Sequence, residues 1–469
     1  MSTEKLSIRE SLSTVTSEYE LEGRIPTGKA ILLGMQHVLA MFVGNLTPIL
    51  VIGGACALGD AGLMVPVIQN AMLVAGLVTL LQLWTIGPIG ARLPCVMGTS
   101  SGFIGVMSGV AGSMGGGVVA YGAILGACVI GGLFEMVLGF MLKPLRRFFP
   151  SVVTGTVVTA IGLSLISVGI NSFGGGNSNK DFGSPVNLFV GFVVMIAIIL
   201  LKHFTKGIWS SASILFGIII GYFVCAILPL FLDKTFIVED QTFVHSWVLQ
   251  WSKVGAAAWF SFPKIMPVKL VFDLRAILPI LIMFVVTAVE TIGDLSGITE
   301  GGLGREATDQ ELSGGVACDG IGSSFAAMFG VLPNTSFSQN VGLVGMTRIV
   351  NLFAISMGAI FLVLCGFCPK LAALVQLMPQ PVLGGAAVMM FASIVVSGIQ
   401  LISKEGIGTR EVTIVAVSLG LGYGLGSTAN VLIHMPAWIG YIFGGSGIVP
   451  AAIVAIILNM ILKKEEVQE

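Results

Sequence analysis

Leu332-Pro333-Asn334-Thr335-Ser336-Phe337-Ser338-Gln339-Asn340-Val341-Gly342 breaks an apolar region where a membrane helix would have to run on. The segment near 334–347 is too short and too polar to cross a bilayer as an ordinary helix, which needs roughly 20 apolar residues. A second stretch has the same character: Leu93-Pro94, then Met97-Gly98-Thr99-Ser100-Ser101-Gly102-Phe103. Residues beside proline disfavour the helical region, so both segments are expected to begin extended. A helix that starts at mid-bilayer leaves the N–H donors of its first turn without partners there. Irregular backbone at that depth survives only inside protein or against a cavity. Two such ends facing each other would receive a ligand rich in carbonyl oxygens.

The rest of the chain supplies the frame. Of 469 residues, 55% are hydrophobic and 10% charged, with mean hydropathy +0.98. Soluble domains carry about 25% charged residues, so the reading is an all-α polytopic membrane protein. Fourteen spans are expected near 31–54, 64–86, 95–112, 117–142, 150–172, 185–202, 208–231, 276–298, 311–331, 334–347, 349–368, 381–402, 411–427 and 437–462. The first 27 residues are polar and run into a full-length apolar segment, so the first helix is expected to be retained. With the N-terminus inside, sixteen of the 23 Lys and Arg fall inside and seven outside, five of these in the connection 232–275. That bias places both termini in the cytoplasm. The long connection mixes charges with Trp247, Trp251, Trp259, Phe260 and Phe262 and is expected to lie along the outer interface. The net charge of −1 gives no reason to expect nucleic acid. Seven cysteines are scattered, and Cys365-Cys368 is a lone CxxC without a second pair, so no metal site is expected.

The halves resemble each other. Leu93-Pro94 matches Leu332-Pro333, and Val43-Gly44-Asn45-Leu46-Thr47 matches Ile292-Gly293-Asp294-Leu295-Ser296. Phe149–Ile170 aligns with Met378–Ile399 with six identities, among them Pro150/Pro379, Gly155/Gly384 and Gly169/Gly398. The matches fall in order. Seven spans is an odd number, so the second copy enters the membrane inverted, and such repeats place substrate near the midplane between broken helices. The alternative is that Gly- and Pro-rich membrane helices resemble each other by chance.

The acids carry the chemistry. Hydrocarbon does not solvate a carboxylate, so an intramembrane acid marks a transport site or proton relay. Glu290 and Asp294, in Ala288-Val289-Glu290-Thr291-Ile292-Gly293-Asp294, are four apart and share a helix face. Two carboxylates that close repel when both are ionised, which suits a proton carrier. Asp294 lies about one turn nearer the cytoplasm, where partial hydration is expected. Asp319, on the ninth span, either joins this cluster or caps its helix. Gln339 offers a donor and an acceptor, matching the edge of a heterocyclic amide; with Asn340 it could instead satisfy the freed backbone of a broken helix. His37, in the first span, is read either as a ligand contact or as support for the site. Glu135 is read as a packing partner between helices.

At these residues the chain resembles the nucleobase–ascorbate transporter family. The family's ten-residue motif is filled at every fixed position by Gln339-Asn340-Val341-Gly342-Leu343-Val344-Gly345-Met346-Thr347-Arg348, and Gln36-His37, the Glu290 segment and Asp319-Gly320 follow the family in order. The resemblance implies fourteen segments, with spans 1–4 and 8–11 as a core and spans 5–7 and 12–14 as a gate. The chain then divides into a cytoplasmic tail (1–27), core (28–145), gate (146–231), an extracytoplasmic connection (232–275), core (276–370), gate (371–462) and a cytoplasmic tail (463–469). It implies short β-strands at the starts of spans 3 and 10, a homodimer in the inner membrane, and symport with protons. Glu290 would bind the nucleobase and Gln339 would be the second contact; Gln at that place goes with purines, which points to xanthine or uric acid. Two departures stand out. Relatives often carry a stacking aromatic where this chain has Ser101, with Phe103 two residues on. Arg348 stands where many bacterial purine carriers have Gly, which bears on purine choice.

The expected mechanism is a proton-coupled purine permease without cofactor. A proton enters at Glu290, Asp294 and Asp319, and an oxopurine docks between the broken helices. Glu290 accepts ring N–H groups, Gln339 reads an amide edge, and backbone donors near Ser101 and Gly102 and near Ser338 and Gln339 meet the carbonyls. His37 and Asn340 support the site. The rivals are uracil uptake by the same machinery, an anion carrier on the same scaffold, and, least, a membrane enzyme, for which no nucleophile–base pair or phosphate loop is found.

Overall fold

The computed structural model describes residues 14–462 except 142–149, 178, 239, 405, 429–430, 437–438, 441–442 and 444–446. The first thirteen residues, the C-terminal tail, the boundary expected at 145/146 and much of the start of the fourteenth span lie outside the described residues.

The chain is built of helices. In order they are α1 (Thr27–Ala55), α2 (Met64–Trp84), α3 (Ile104–Ser113), α4 (Gly117–Phe140), α5 (Ser151–Phe173), α6 (Pro185–Phe204), α7 (Ser213–Ile227), α8 (Leu274–Ile298), α9 (Asp309–Met328), α10 (Ser338–Thr347), α11 (Leu352–Cys365), α12 (Pro369–Gln376), α13 (Gln380–Ser403), α14 (Thr409–Ser427) and α15 (Ile448–Ile461). Among the described residues eight helices are long and apolar enough to cross a membrane, nine if α11 and α12, bent by 85°, count as one span. Two shorter apolar helices, α3 and α15, accompany them.

Small residues let these helices approach closely, as membrane interfaces require where hydrophobic burial alone drives nothing. Helices α5 and α13 meet along glycines: a methyl on Gly155 would stand 2.7 Å from the Gly398 carbonyl, and one on Gly384 would collide with the Phe173 backbone. Helices α4 and α9 pack the same way, where a methyl on Gly132 would strike the Gly320 carbonyl. Glu135 of α4 is fully buried in that region and accepts a hydrogen bond from Thr287 of α8 (3.0 Å), so it ties two helices together.

Four short strands stand among the described residues. Strand β1 (Met97–Thr99) precedes α3, and β4 (Asn334–Ser336) precedes α10. They pair antiparallel across the protein, Met97 with Ser336, Gly98 with Thr335 and Thr99 with Asn334. Outside this centre, β2 (Thr235–Val238) and β3 (Gln241–Val244) form a hairpin in the long connection. The aromatics of that connection differ in burial. Trp251, Trp259, Phe260 and Phe262 are exposed, but Trp247 is fully buried, because His245 stacks on it at 5.5 Å and the apolar residues of α6 and α13 enclose it. Asp181 anchors the same corner by accepting from Ser246 N–H (2.8 Å) and from the Ser246 hydroxyl. Burial pushes its carboxyl up, yet the hydrogen bonds from Ser246, Asn187 and His245 outweigh that and hold it below the ordinary Asp value.

At the opposite end of the helices, residues 14–26 are laced to the fold. Val350 and Leu352 N–H donate to the carbonyls of Glu18 (3.1 Å) and Leu21 (3.0 Å), and Arg92 makes a two-pronged ion pair with Glu22 (2.7 and 3.1 Å). This lacing joins the loop before β1 to the loop after α10.

Candidate functional site

The candidate site is built around the crossing of β1 and β4. All six strand residues are buried; β1 leads through the turn 100–103 into α3, and β4 leads through Phe337 into α10. The pairing is extended at both ends by Ser100 N–H on the Pro333 carbonyl (2.8 Å) and Phe337 N–H on the Val96 carbonyl (3.1 Å). Strand pairing satisfies the backbone that the prolines release, as burial demands. The first turns of α3 and α10 still hold N–H groups without intrahelical acceptors beside this crossing.

Helix α8 brings the acids. Asp294 is buried and accepts from Ser336 Oγ (2.7 Å) and Ser338 Oγ (2.9 Å), so it pins the joint between β4 and α10. Beside these two serine hydroxyls Asp294 keeps 8% exposure. One turn earlier, Thr291 donates to Asp319 of α9, and Thr335 Oγ1 donates to the same oxygen (3.2 Å). Asp319 is fully buried and so belongs to this network rather than to the end of its helix.

Glu290 stands apart from these networks. It is half-buried, and its Oε2 is enclosed with no hydrogen-bond partner among the described residues. A methyl placed on Gly102 would lie 3.9 Å from that oxygen, 3.5 Å from Ser100 Oγ and 3.6 Å from Ile161 Cδ1 of α5. The carboxylate therefore faces the turn after β1 and the neighbouring α5. Other buried atoms at the crossing also lack hydrogen-bond partners among the described residues: Thr99 Oγ1, Ser100 Oγ, Asp319 Oδ1, Asn334 Oδ1 and Asn334 Nδ2. Buried polar groups are ordinarily paired, so these atoms leave hydrogen-bonding capacity open at the crossing.

The other sequence candidates sort themselves by position. Ser338 and Gln339 line a cavity of about 230 Å³ between α10 and helices α6, α7 and α13, together with Lys202, Ser211, Ser393 and Ser397. Asn340 is buried; its Oδ1 accepts from Val96 N–H (3.2 Å) and its Nδ2 meets His37 Nδ1 (2.7 Å). His37 thus reaches the crossing through Asn340. Ser101 is half-buried in the turn after β1. Phe103 is 1% exposed with its ring 4.8 Å from that of Phe284, tilted by 60°, and is taken up by core packing. Arg348 is exposed and left-handed (φ 55°) where it ends α10. Gln36 donates to Ser211 Oγ (2.8 Å), which links α1 to the segment before α7.

Sequence reading missed the residues that hold the strands. Met97 N–H donates to Thr79 Oγ1 (2.9 Å), Thr99 N–H to Asn45 Oδ1 (2.7 Å), and Asn334 N–H to Ser323 Oγ (3.1 Å). Asn45 carried a usable signal, since it stands opposite Asp294 in the matched segments; Thr79 and Ser323 are ordinary helix residues by composition.

Residues 28–430 match a model described as Permease family. A Clostridium perfringens chain provisionally named a purine permease is 37% identical over 95% of this chain and 93% of its own. The uric acid permease PucK of Bacillus subtilis is 34% identical (93% and 96%), and the xanthine permease XanP of Escherichia coli K12 is 31% identical (96% and 95%). Among solved structures, the transmembrane domain of the cyanobacterial bicarbonate transporter BicA aligns with TM-score 0.54 at 16% identity (92% and 97%). Murine Slc26a9, an anion transporter captured inward-facing, aligns with TM-score 0.55 at 11% identity (92% and 68%). These two likenesses concern the fold.

Proposed function

We propose that this chain, which belongs to the Permease family of nucleobase–ascorbate transporters, is a multi-pass membrane protein that imports xanthine or uric acid by proton symport. The observation that carries this reading is the enclosed, unpartnered Oε2 of Glu290 beside the turn after β1. A buried carboxylate oxygen without a donor is costly to keep. An oxopurine supplies ring N–H donors to that oxygen, and its carbonyls meet the N–H groups of the Ser101–Gly102 turn and the Ser338–Gln339 helix start. Gln339 reads an adjacent amide edge. Asp294 and Asp319, held by hydroxyls on β4, α8 and α10, complete the acidic set that takes up the coupling proton. Coupled carboxylates titrate together, so the proton belongs to the set.

The fourteen-span reading belongs to the same proposal, with inverted repeats forming a core and a gate in a homodimer of the inner membrane, both termini cytoplasmic. The mutual approach of α5 and α13 supports the repeat, since Gly155 meets Ile402 while its sequence partner Gly384 meets Phe173, which the same register pairs with Ile402. Displacement of the core against the gate carries the base across by alternating access. Phe103 contributes by shaping the turn through its contact with Phe284. An anion carrier of the same fold would avoid a central carboxylate, so Glu290 opposes that alternative; uracil uptake through the same site is the nearer one.

The test is uptake of labelled xanthine, urate, guanine and uracil by proteoliposomes under an imposed pH gradient. Xanthine or urate should accumulate and be lost on adding a protonophore. Uptake that follows a sodium gradient would overturn the proton coupling, and preference for uracil would overturn the substrate.

A further inference from the structure

We infer that Asn45 is a positioning residue of the substrate site, the counterpart in the first half of the chain of Asp294 in the second. The inference rests on the purine site proposed above. Two sets of contacts repeat between the halves. The first residue of each strand is held on both sides by one hydroxyl. Met97 N–H donates to Thr79 Oγ1 (2.9 Å), and that hydroxyl donates to the Met97 carbonyl (3.3 Å). Asn334 N–H donates to Ser323 Oγ (3.1 Å), and that hydroxyl donates to the Asn334 carbonyl (2.9 Å). The third residue of each strand is held from a long helix. Thr99 N–H donates to Asn45 Oδ1 of α1 (2.7 Å), and Ser336 Oγ donates to Asp294 Oδ2 of α8 (2.7 Å). Asn45 and Asp294 are also the matched centres of Val43–Thr47 and Ile292–Ser296. Sequence register and hydrogen bonding therefore identify the same pair.

Packing does not account for Asn45. It is fully buried, and its Nδ2 has no acceptor among the described residues, so a leucine of similar size would fill the place without stranding a donor. What the amide supplies is Oδ1. That oxygen sets the seat of β1: a methyl on Gly98 would stand 2.9 Å from it, 2.6 Å from Met41 Cε and 2.8 Å from Phe337 Cε2. Thr99 leads directly into Ser100–Gly102, the turn that faces Glu290. Asn45 thus fixes the distance between the first-half donors and the Glu290 carboxylate, and it does so without charge. The acid of the pair is confined to the second half, where it serves proton uptake as well.

The experiment compares Asn45→Leu, Asn45→Ala and Asn45→Asp in the purified full-length protein, by equilibrium binding of xanthine and by hydrogen exchange of the peptide 96–103. Loss of one buried hydrogen bond should weaken xanthine binding about tenfold in the Leu and Ala variants, with KM raised and kcat little changed. Asn45→Asp keeps an acceptor oxygen and should bind within about threefold of wild type. Exchange of the peptide should quicken in the Leu and Ala variants and stay slow in the Asp variant. Wild-type exchange in Asn45→Leu, or equal binding defects in all three variants, overturns the inference. If wild-type protein binds no purine while Asn45→Leu still exchanges faster, the clamp stands and the purine assignment falls.

Discussion

Replacing Glu290 by Gln separates binding from stability. Glu290 Oε2 has no partner among the described residues, so the substitution breaks no internal hydrogen bond to that oxygen. It also removes a charge from a place where charge is costly. The folded protein should lose nothing, and its Tm should hold or rise. Substrate binding should suffer, because one acceptor oxygen becomes an NH2 that opposes the ring N–H. A hydrogen bond to a charged group contributes about 1.5–3 kcal/mol, and each 1.4 kcal/mol is about tenfold. Xanthine affinity should therefore fall about 10- to 100-fold, and accumulation driven by a pH gradient should vanish. The assay is radioligand binding to purified protein beside a thermal-shift measurement by size-exclusion chromatography. Binding within threefold of wild type, or a fall in Tm that accounts for lost binding, would refute the reasoning.

Gln339→Glu should weaken xanthine about tenfold and open competition by uracil; an unchanged competition panel would remove Gln339 from substrate reading. Arg348→Gly should stabilise the protein by roughly 1 kcal/mol, because a left-handed backbone strains any residue with a Cβ. The sequence reading had Arg348 bear on purine choice; its exposed side chain at the end of α10 argues against that, so purine preference should not change, and a shifted competition panel would uphold the sequence reading. Gly132→Val should destabilise by at least about 2 kcal/mol, because its Cβ meets the Gly320 carbonyl and Ser324 of α9; a wild-type melting profile would show that α4 and α9 are not packed this closely.

Much of the frame was legible because bilayer physics is local in sequence. Apolar length located the helices, and Pro94 and Pro333 located the two interruptions. Glu290 stood out because a carboxylate inside an apolar run has few uses. What remained hidden depends on contacts between distant segments. No local pattern reveals that Thr99 pairs with Asn334, or that Thr79 and Ser323 bracket the strands. Sequence placed Asp294 one turn from Glu290 but does not show that Ser336 and Ser338 donate to it. Trp247 was read with the other aromatics of a connection that mixes them with charges, while in space it lies against His245 and an apolar cluster from α6, α7 and α13. Asn45 was visible as half of a matched pair, but an amide in a membrane helix has several uses, and only the hydrogen bond to Thr99 selects one.

The most direct measurement is a structure of the protein determined with xanthine bound. The base should lie at the crossing of β1 and β4, its ring N–H groups on Glu290 and its amide edge on Gln339, with carbonyls toward the Ser101–Gly102 turn and the start of α10. A base seated only in the cavity between α10 and α13, out of reach of Glu290, would contradict the account.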